Sequence, residues 1–172
     1  MEVVEAVSQV WGPDRVGVRL SPLGKLNDMS DADPEATFGT LAAMLDGRGL
    51  AYLHVVNPAL AEVECHAPPD PRALRMVELM RREYRGRLII TGGFDHDTAE
   101  EWLQEGRADL VAFGRKFLAN PDLPERLRLR APLNPDDRST YYGGGAKGYT
   151  DYHTLQQERG EQPRPCVDES WR

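Results

Sequence analysis

The fold of this chain is decided by two apolar runs that end in glycine, Leu88-Ile89-Ile90-Thr91-Gly92-Gly93-Phe94 and Asp109-Leu110-Val111-Ala112-Phe113-Gly114-Arg115. The segment between them, Asp95 to Arg107, has the apolar spacing of one amphipathic helix. The pattern predicts a strand, a helix and a second strand, each strand ending on backbone that a ligand can approach closely. In a barrel of alternating strands and helices, the turns after the last two strands commonly hold phosphate. The unit therefore predicts the phosphate end of a cofactor site, with Arg115 suited to phosphate oxygens by its planar guanidinium.

Two similar units come earlier in the chain. Asp33-Pro34 reads as the start of a helix, because aspartate is a good N-cap and proline is tolerated in the first turn. A second helix is expected from about Asp70-Pro71 to Tyr84, after a long loop that begins at Asn57. Its arginines are most simply a solvated helix face. In all, strands are predicted at residues 16–20, 50–56, 87–91 and 108–113.

Alternating strands and helices predict an α/β fold with a parallel sheet. Four such units are compatible with half of an eight-stranded barrel or with a small open sheet, and periodicity does not decide between them.

A last short helix is predicted at residues 125–129. Beyond Ala131 the composition changes to that of an irregular tail, and residues 158–172 are expected to be disordered.

The bulk composition restricts the function classes. A length of 172 residues fits one domain. The net charge of −7 and the pI near 5.1 argue against nucleic-acid or anionic-membrane partners. No apolar run reaches the roughly 20 residues that span a bilayer. The start has no signal-peptide pattern, so a cytoplasmic location is expected, with Cys65 and Cys166 as free thiols.

A metal site is not expected. His54, Cys65 and His66 have loose spacing and lack an evident fourth ligand. His54 is interpreted instead as a buried strand residue that is hydrogen-bonded internally.

Several motifs in order resemble the Old Yellow Enzyme family of FMN-dependent, NADPH-consuming ene-reductases. The first is Arg15-Val16-Gly17-Val18-Arg19-Leu20-Ser21-Pro22, followed by Asn27-Asp28-Met29. The others are Tyr52-Leu53-His54-Val55-Val56, Thr91-Gly92-Gly93-Phe94, the run from Phe113 to Leu123, and the tail segments Asp137 to Tyr142 and Gly148 to Tyr152. The match extends from about residue 2 to residue 155.

The resemblance implies a particular part of the family fold. It identifies the chain as the C-terminal half, strands five to eight, of a TIM (βα)8 barrel with the family's irregular tail. Residues 1–130 would form the half-barrel that carries the FMN phosphate side, and residues 131–157 would form the tail. The family's substrate-binding His-His or His-Asn pair and its tyrosine proton donor have no matching positions here, so no catalytic residue is carried over.

The same resemblance implies roles for individual residues. Arg19 would lie at the flavin ring, where a cation stabilises the reduced flavin. Tyr142 is a candidate for the substrate side of the flavin. The FMN phosphate would be held by Gly92, Gly93, Gly114 and Arg115, and Phe94 would also contact the cofactor.

The expected activity is hydride transfer from NADPH to FMN and then to an activated alkene. The alternatives are a non-catalytic half-barrel that binds FMN or phosphate, and an inert truncated product. Because half a barrel leaves one sheet face uncovered, a partner is expected, either an N-terminal half-barrel chain or a second copy. The side chains expected on that uncovered face are Val16, Val18, Ile90 and Val111.

Overall fold

The structure is a computed structural model that describes residues 1–24, 28–57 and 72–161. Its strands are β1 (Gly17–Leu20), β2 (Tyr52–Val56), β3 (Leu88–Thr91) and β4 (Leu110–Ala112). Its α-helices are α1 (Glu2–Trp11), α2 (Pro34–Leu45), α3 (Ala73–Glu83), α4 (His96–Gln104), α5 (Arg115–Ala119), α6 (Leu123–Leu129) and α7 (Leu155–Glu158). The chain forms two compact units, Met1–Phe113 and Gly114–Arg172.

The four strands form one parallel sheet in the order β1-β2-β3-β4. The predicted parallel α/β fold is thereby confirmed, and each strand pairs with the strand next to it in sequence. The predicted tail boundary at residue 131 lies inside the second unit and stays a prediction.

Local capping explains where α2 and α4 begin. The Asp33 carboxylate accepts a hydrogen bond from the Ala36 N–H, which confirms the predicted start of α2. Asp95 and Thr98 form a reciprocal capping box at the start of α4. These caps satisfy N–H groups that have no partner within the helix. The predicted loop and helix start at residues 58–71, with Cys65 and His66, lie outside the described residues, as do Cys166 and most of the segment expected to be disordered.

One face of the sheet is covered by helices and forms the core of the first unit. Leu53, Val55, Leu88 and Ile90 are fully buried there. They pack in one cluster with helix residues that include Leu45, Met76 and Met80. Burial of this continuous apolar layer is the main source of stability for the unit.

The opposite face, here called the open face, carries Gly17, Arg19, Tyr52, His54, Val56, Ile89, Thr91, Leu110 and Ala112. The face assignment made from the sequence was therefore wrong. Ile90 is fully buried in the helix-covered core, Val18 and Val111 pack against it, and Val16 precedes β1 and is buried. Because side chains alternate along a strand, an error of one residue moves every side chain to the other face.

Not every feature of the helices was predicted from the sequence. Residues 115–119 form the short helix α5, which was not predicted. In addition, Arg81 is not simply solvated: its guanidinium donates to the Asp109 carboxylate at 2.9 Å and to the Gly86 carbonyl at 3.1 Å. Asp109 also accepts from the Leu88 N–H at 2.7 Å. Arg81 thus fixes the end of α3 to the start of β3 and β4.

The second unit is organised around the buried side chain of Arg126, on α6. Its guanidinium forms ion pairs with Asp122 at 2.8 Å and with Glu158 at 2.6 Å. It also donates to the carbonyl oxygens of Pro132 and His153. One side chain therefore joins α6 to the irregular segment and to α7.

In the described part of the chain, none of the helices has the length and apolar character needed to cross a membrane. The same residues contain no group of three or more His, Cys, Asp or Glu side chains that could hold a metal ion.

Candidate functional site

Arg19 lies on the open face of the sheet, near the carboxyl end of β1. The neighbours Val18 and Leu20 pack toward the core, so alternation directs Arg19 to the opposite face. Its side chain is exposed, and none of the described residues makes a hydrogen bond or ion pair with it. The cation is therefore available to a ligand or to a covering segment.

His54 is the register partner of Arg19 on β2 and shares the open face with it. Its Nε2 atom is buried and makes no hydrogen bond with any described residue, so the expected internal hydrogen bond is not made by this atom. Burial, together with the charge of Arg19, lowers the pKa of the imidazole below its ordinary value. The neutral imidazole is thus favoured beside the Arg19 cation. The sequence carried no signal for this pair, because the register of the two strands brings the residues together.

The turn after β3 exposes its backbone. Gly92 and Gly93 have φ angles of 136° and 66°, which only glycine adopts without strain. Neither glycine N–H donates a hydrogen bond to another described residue. Just before the turn, the Thr91 hydroxyl donates to the Ala112 carbonyl at 2.8 Å, which ties the ends of β3 and β4 together. Two N–H groups on one turn that have no partner among the described residues can bind an anion.

Phe94 has a structural role in this turn. Its ring is 2% exposed and packs edge to face on Trp102, with centroids 5.3 Å apart and an interplanar angle of 80°. The side chain therefore anchors the glycine turn to α4.

Asn57, which the sequence analysis did not single out, supports the same end of the sheet. It is fully buried and directly follows β2. Its N–H donates to the Thr91 carbonyl at 2.7 Å, extending the parallel ladder to the glycine turn. A polar residue at the end of an apolar run was the available sequence signal.

In the second unit, Gly114 and Arg115 begin α5. Gly114 is exposed, and a Cβ added to it would meet open space. Arg115 is the first residue of the helix and is partly buried. Its charge acts on Tyr141, whose pKa is nevertheless raised by burial and by its hydrogen bond to the Asp136 carboxylate.

Tyr142 is displayed to solvent in an unusual backbone conformation. The side chain is 96% exposed and φ is 57°, in the left-handed region. The Tyr149 hydroxyl accepts a hydrogen bond from the Tyr142 N–H at 2.7 Å. A non-glycine residue held in this region costs about 1–3 kcal/mol, and such strain is often found at functional sites.

The structure thus brings Arg19 and His54 together as register partners in the first unit. Gly92 and Gly93 follow β3 at the carboxyl edge of the same parallel sheet. Gly114, Arg115 and Tyr142 belong to the second unit. The carboxyl edge of a parallel sheet is the usual position of ligand sites in α/β proteins.

Comparison with known proteins gives a consistent result. The family model described as NADH:flavin oxidoreductase / NADH oxidase matches residues 1–134. A curated relative, 12-oxophytodienoate reductase 2 of Arabidopsis thaliana, is 42% identical over 157 residues, which cover 91% of this chain and 41% of that protein.

Solved structures are similar over the same extent. Morphinone reductase is 48% identical with a TM-score of 0.80, covering 91% of this chain and 41% of that one. The old yellow enzyme from Trypanosoma cruzi is 38% identical with a TM-score of 0.79, covering 90% and 39% of the two chains. These neighbours are TIM barrels, and the chain spans about two fifths of the length of the relatives it matches.

Proposed function

This chain belongs to the NADH:flavin oxidoreductase / NADH oxidase family. From that membership we propose that it binds FMN and forms part of a flavin-dependent alkene reductase. The resemblance to Old Yellow Enzyme is confirmed by the same comparisons. The observation that carries the proposal is the Gly92-Gly93 turn, whose N–H groups donate to no other described residue. When bound, FMN supplies the hydride chemistry between a reduced nicotinamide and an activated alkene.

The first unit fits a flavin in two further respects. Arg19 offers a cation on the open face, and His54 beside it has a buried nitrogen without a hydrogen-bond partner among the described residues. A buried polar atom of this kind costs free energy unless a further group pairs with it. We propose that Arg19 contacts the flavin ring, as the family resemblance implies.

We propose that the phosphate contacts are made by the backbone of Gly92 and Gly93 and by Gly114 and Arg115, and that Phe94 also contacts the cofactor. The glycine turn is supported by its two N–H groups, which donate to none of the residues that the structure describes. Arg115 is supported by its chemistry, because a guanidinium can bind two phosphate oxygens at once. Tyr142 is proposed for the substrate side, and its exposure and left-handed backbone support a functional role.

We further propose that β1 to β4 are strands five to eight of the barrel, and that a complementary half covers the open face. In the described sheet, β1 and β4 each have one strand neighbour, and Tyr52 and Leu110 are 39% and 51% exposed. The cover is an N-terminal half-barrel or a second copy of this chain. Light scattering distinguishes these two partners, because a stable dimer of the purified chain would support a second copy as the cover. The cytoplasmic location stays a prediction from composition.

The direct test is the visible spectrum of the purified chain after incubation with FMN and removal of unbound flavin. Retained flavin absorbance is the expected result, and complete loss of flavin would contradict binding by this chain. Alkene reduction is then assayed with a reduced nicotinamide. Flavin retention without turnover would favour the non-catalytic binding module over the reductase.

The phosphate assignment has its own matched test. Arg115→Ala should raise the Kd for FMN roughly 10- to 100-fold, the usual effect of losing a charged hydrogen bond. Arg75→Ala is the control, because Arg75 is an exposed arginine on α3. Fluorescence titration measures both, and equal effects would reject the role of Arg115.

A further inference from the structure

Two neighbouring side chains on the open face complement each other's hydrogen-bonding needs. Arg19 and His54 are register partners on adjacent strands. Arg19 has N–H donors and makes no hydrogen bond with the described residues. The buried Nε2 of His54 lacks a partner among the same residues. A neutral imidazole with its proton on Nδ1 presents Nε2 as an acceptor, whereas the guanidinium has only donors.

We propose that His54 is a positioning residue for Arg19: in the flavin-loaded protein its neutral imidazole accepts a hydrogen bond from the Arg19 guanidinium and fixes the direction of that cation. The inference rests on the proposed function, because it concerns the proposed ring contact.

The surroundings of His54 favour this role. On its two neighbouring strands, the register partners are Arg19 and the apolar Ile89, so no described carboxylate on those strands competes for the imidazole. The Arg19 cation disfavours protonation of His54, which keeps Nε2 available as an acceptor. A long arginine side chain on an exposed face has many rotamers, and a hydrogen bond from its guanidinium to His54 would hold one of them in the flavin-loaded protein.

The experiment is a double-mutant cycle on the full chain, read by the Kd for FMN and by the reduction potential of the bound flavin. His54→Leu removes the acceptor, and we expect the Kd to rise about tenfold. His54→Gln keeps an acceptor oxygen near the position of Nε2, and it should restore binding to within about threefold of the original chain. His153→Leu, at an exposed histidine in the second unit, is the matched control and should leave the Kd unchanged.

The decisive comparison uses the Arg19→Met background. If His54 acts through Arg19, His54→Leu has no further effect on the Kd or on the potential once the cation is gone. An undiminished effect in that background, or failure of His54→Gln to restore binding, would overturn the positioning role. If the original chain retains no FMN, the proposed function fails and the inference fails with it. If FMN is retained but His54→Leu changes neither the Kd for FMN nor the reduction potential, only the inference is overturned.

Discussion

The two faces of the sheet differ in chemistry although they are built from the same four strands. The covered face is a continuous apolar layer in which Leu53, Val55, Leu88 and Ile90 have no exposed surface. The open face mixes apolar side chains with the Arg19 cation and the His54 imidazole. The covered face therefore supplies stability, and the open face supplies the groups that a ligand or a covering segment can use.

A single residue along a strand separates a structural role from a binding role. Ile89 and Ile90 are neighbours of the same type, yet Ile90 is in the core and Ile89 is on the open face. Substitutions on the two faces should therefore differ in their effect on stability.

Ile90→Ala should lower the free energy of unfolding by about 2–5 kcal/mol, because it leaves a cavity in a fully packed site. Ile89→Ala is the matched control, and since Ile89 is partly exposed we expect less than half that loss. Urea denaturation of dilute protein measures both. Equal losses would show that the open face is covered as tightly as the core, and a dependence on protein concentration would attribute the cover to a second copy.

Gly93→Ala should lower the free energy of unfolding by about 1–2 kcal/mol, because an alanine at a φ of 66° is strained in the left-handed region. The control is Gly145→Ala, at a position where φ is not positive and an added Cβ meets open space. Thermal unfolding compares the two variants with the original chain. A Gly93→Ala chain as stable as the control would mean that the turn rearranges freely, which contradicts a preformed phosphate turn.

The smallest effect is a pH dependence of the free energy of unfolding, which comes from His54 on the open face. The pKa of His54 is lowered in the folded chain by burial and by Arg19, so the unfolded chain binds a proton at a higher pH than the folded chain does. Stability should therefore be highest above about pH 6.5 and decrease as the pH falls from there toward the lowered pKa. Urea midpoints measured against pH should show this slope, and His54→Gln should reduce it. An unchanged slope in that variant would assign the dependence to other groups.

The fold was predictable from the sequence because several local signals agree. Apolar runs that end in glycine, an Asp-Pro helix start and alternating strands and helices all indicate a parallel α/β sheet, and the structure confirms it. The assignment of side chains to faces failed for a physical reason. The predicted strand from Leu50 to Val56 is apolar at most positions. Without alternating apolar and polar residues, the sequence does not show which side chains point to which face.

The candidate site was only partly predictable. Arg19 and the glycine turn follow from motifs, but Arg81 shows the limit of reading charged residues as a solvated face. Its carboxylate partner, Asp109, is 28 residues away in sequence and comes near only through the fold. The pairing of Arg19 with His54 likewise depends on strand register, which sequence patterns alone do not fix.

The sequential order of the strands has a consequence for synthesis on the ribosome. Since each strand pairs with the one that precedes it in the chain, β1 and β2 can associate before β3 has left the exit tunnel, and each later strand adds to an existing edge. Register partners such as Gly17 and Tyr52 are far apart in sequence, so each parallel pairing closes a long loop and forms slowly. The growing edge of the nascent sheet is exposed at every stage, so arrival of the next strand is also what protects that edge from aggregation.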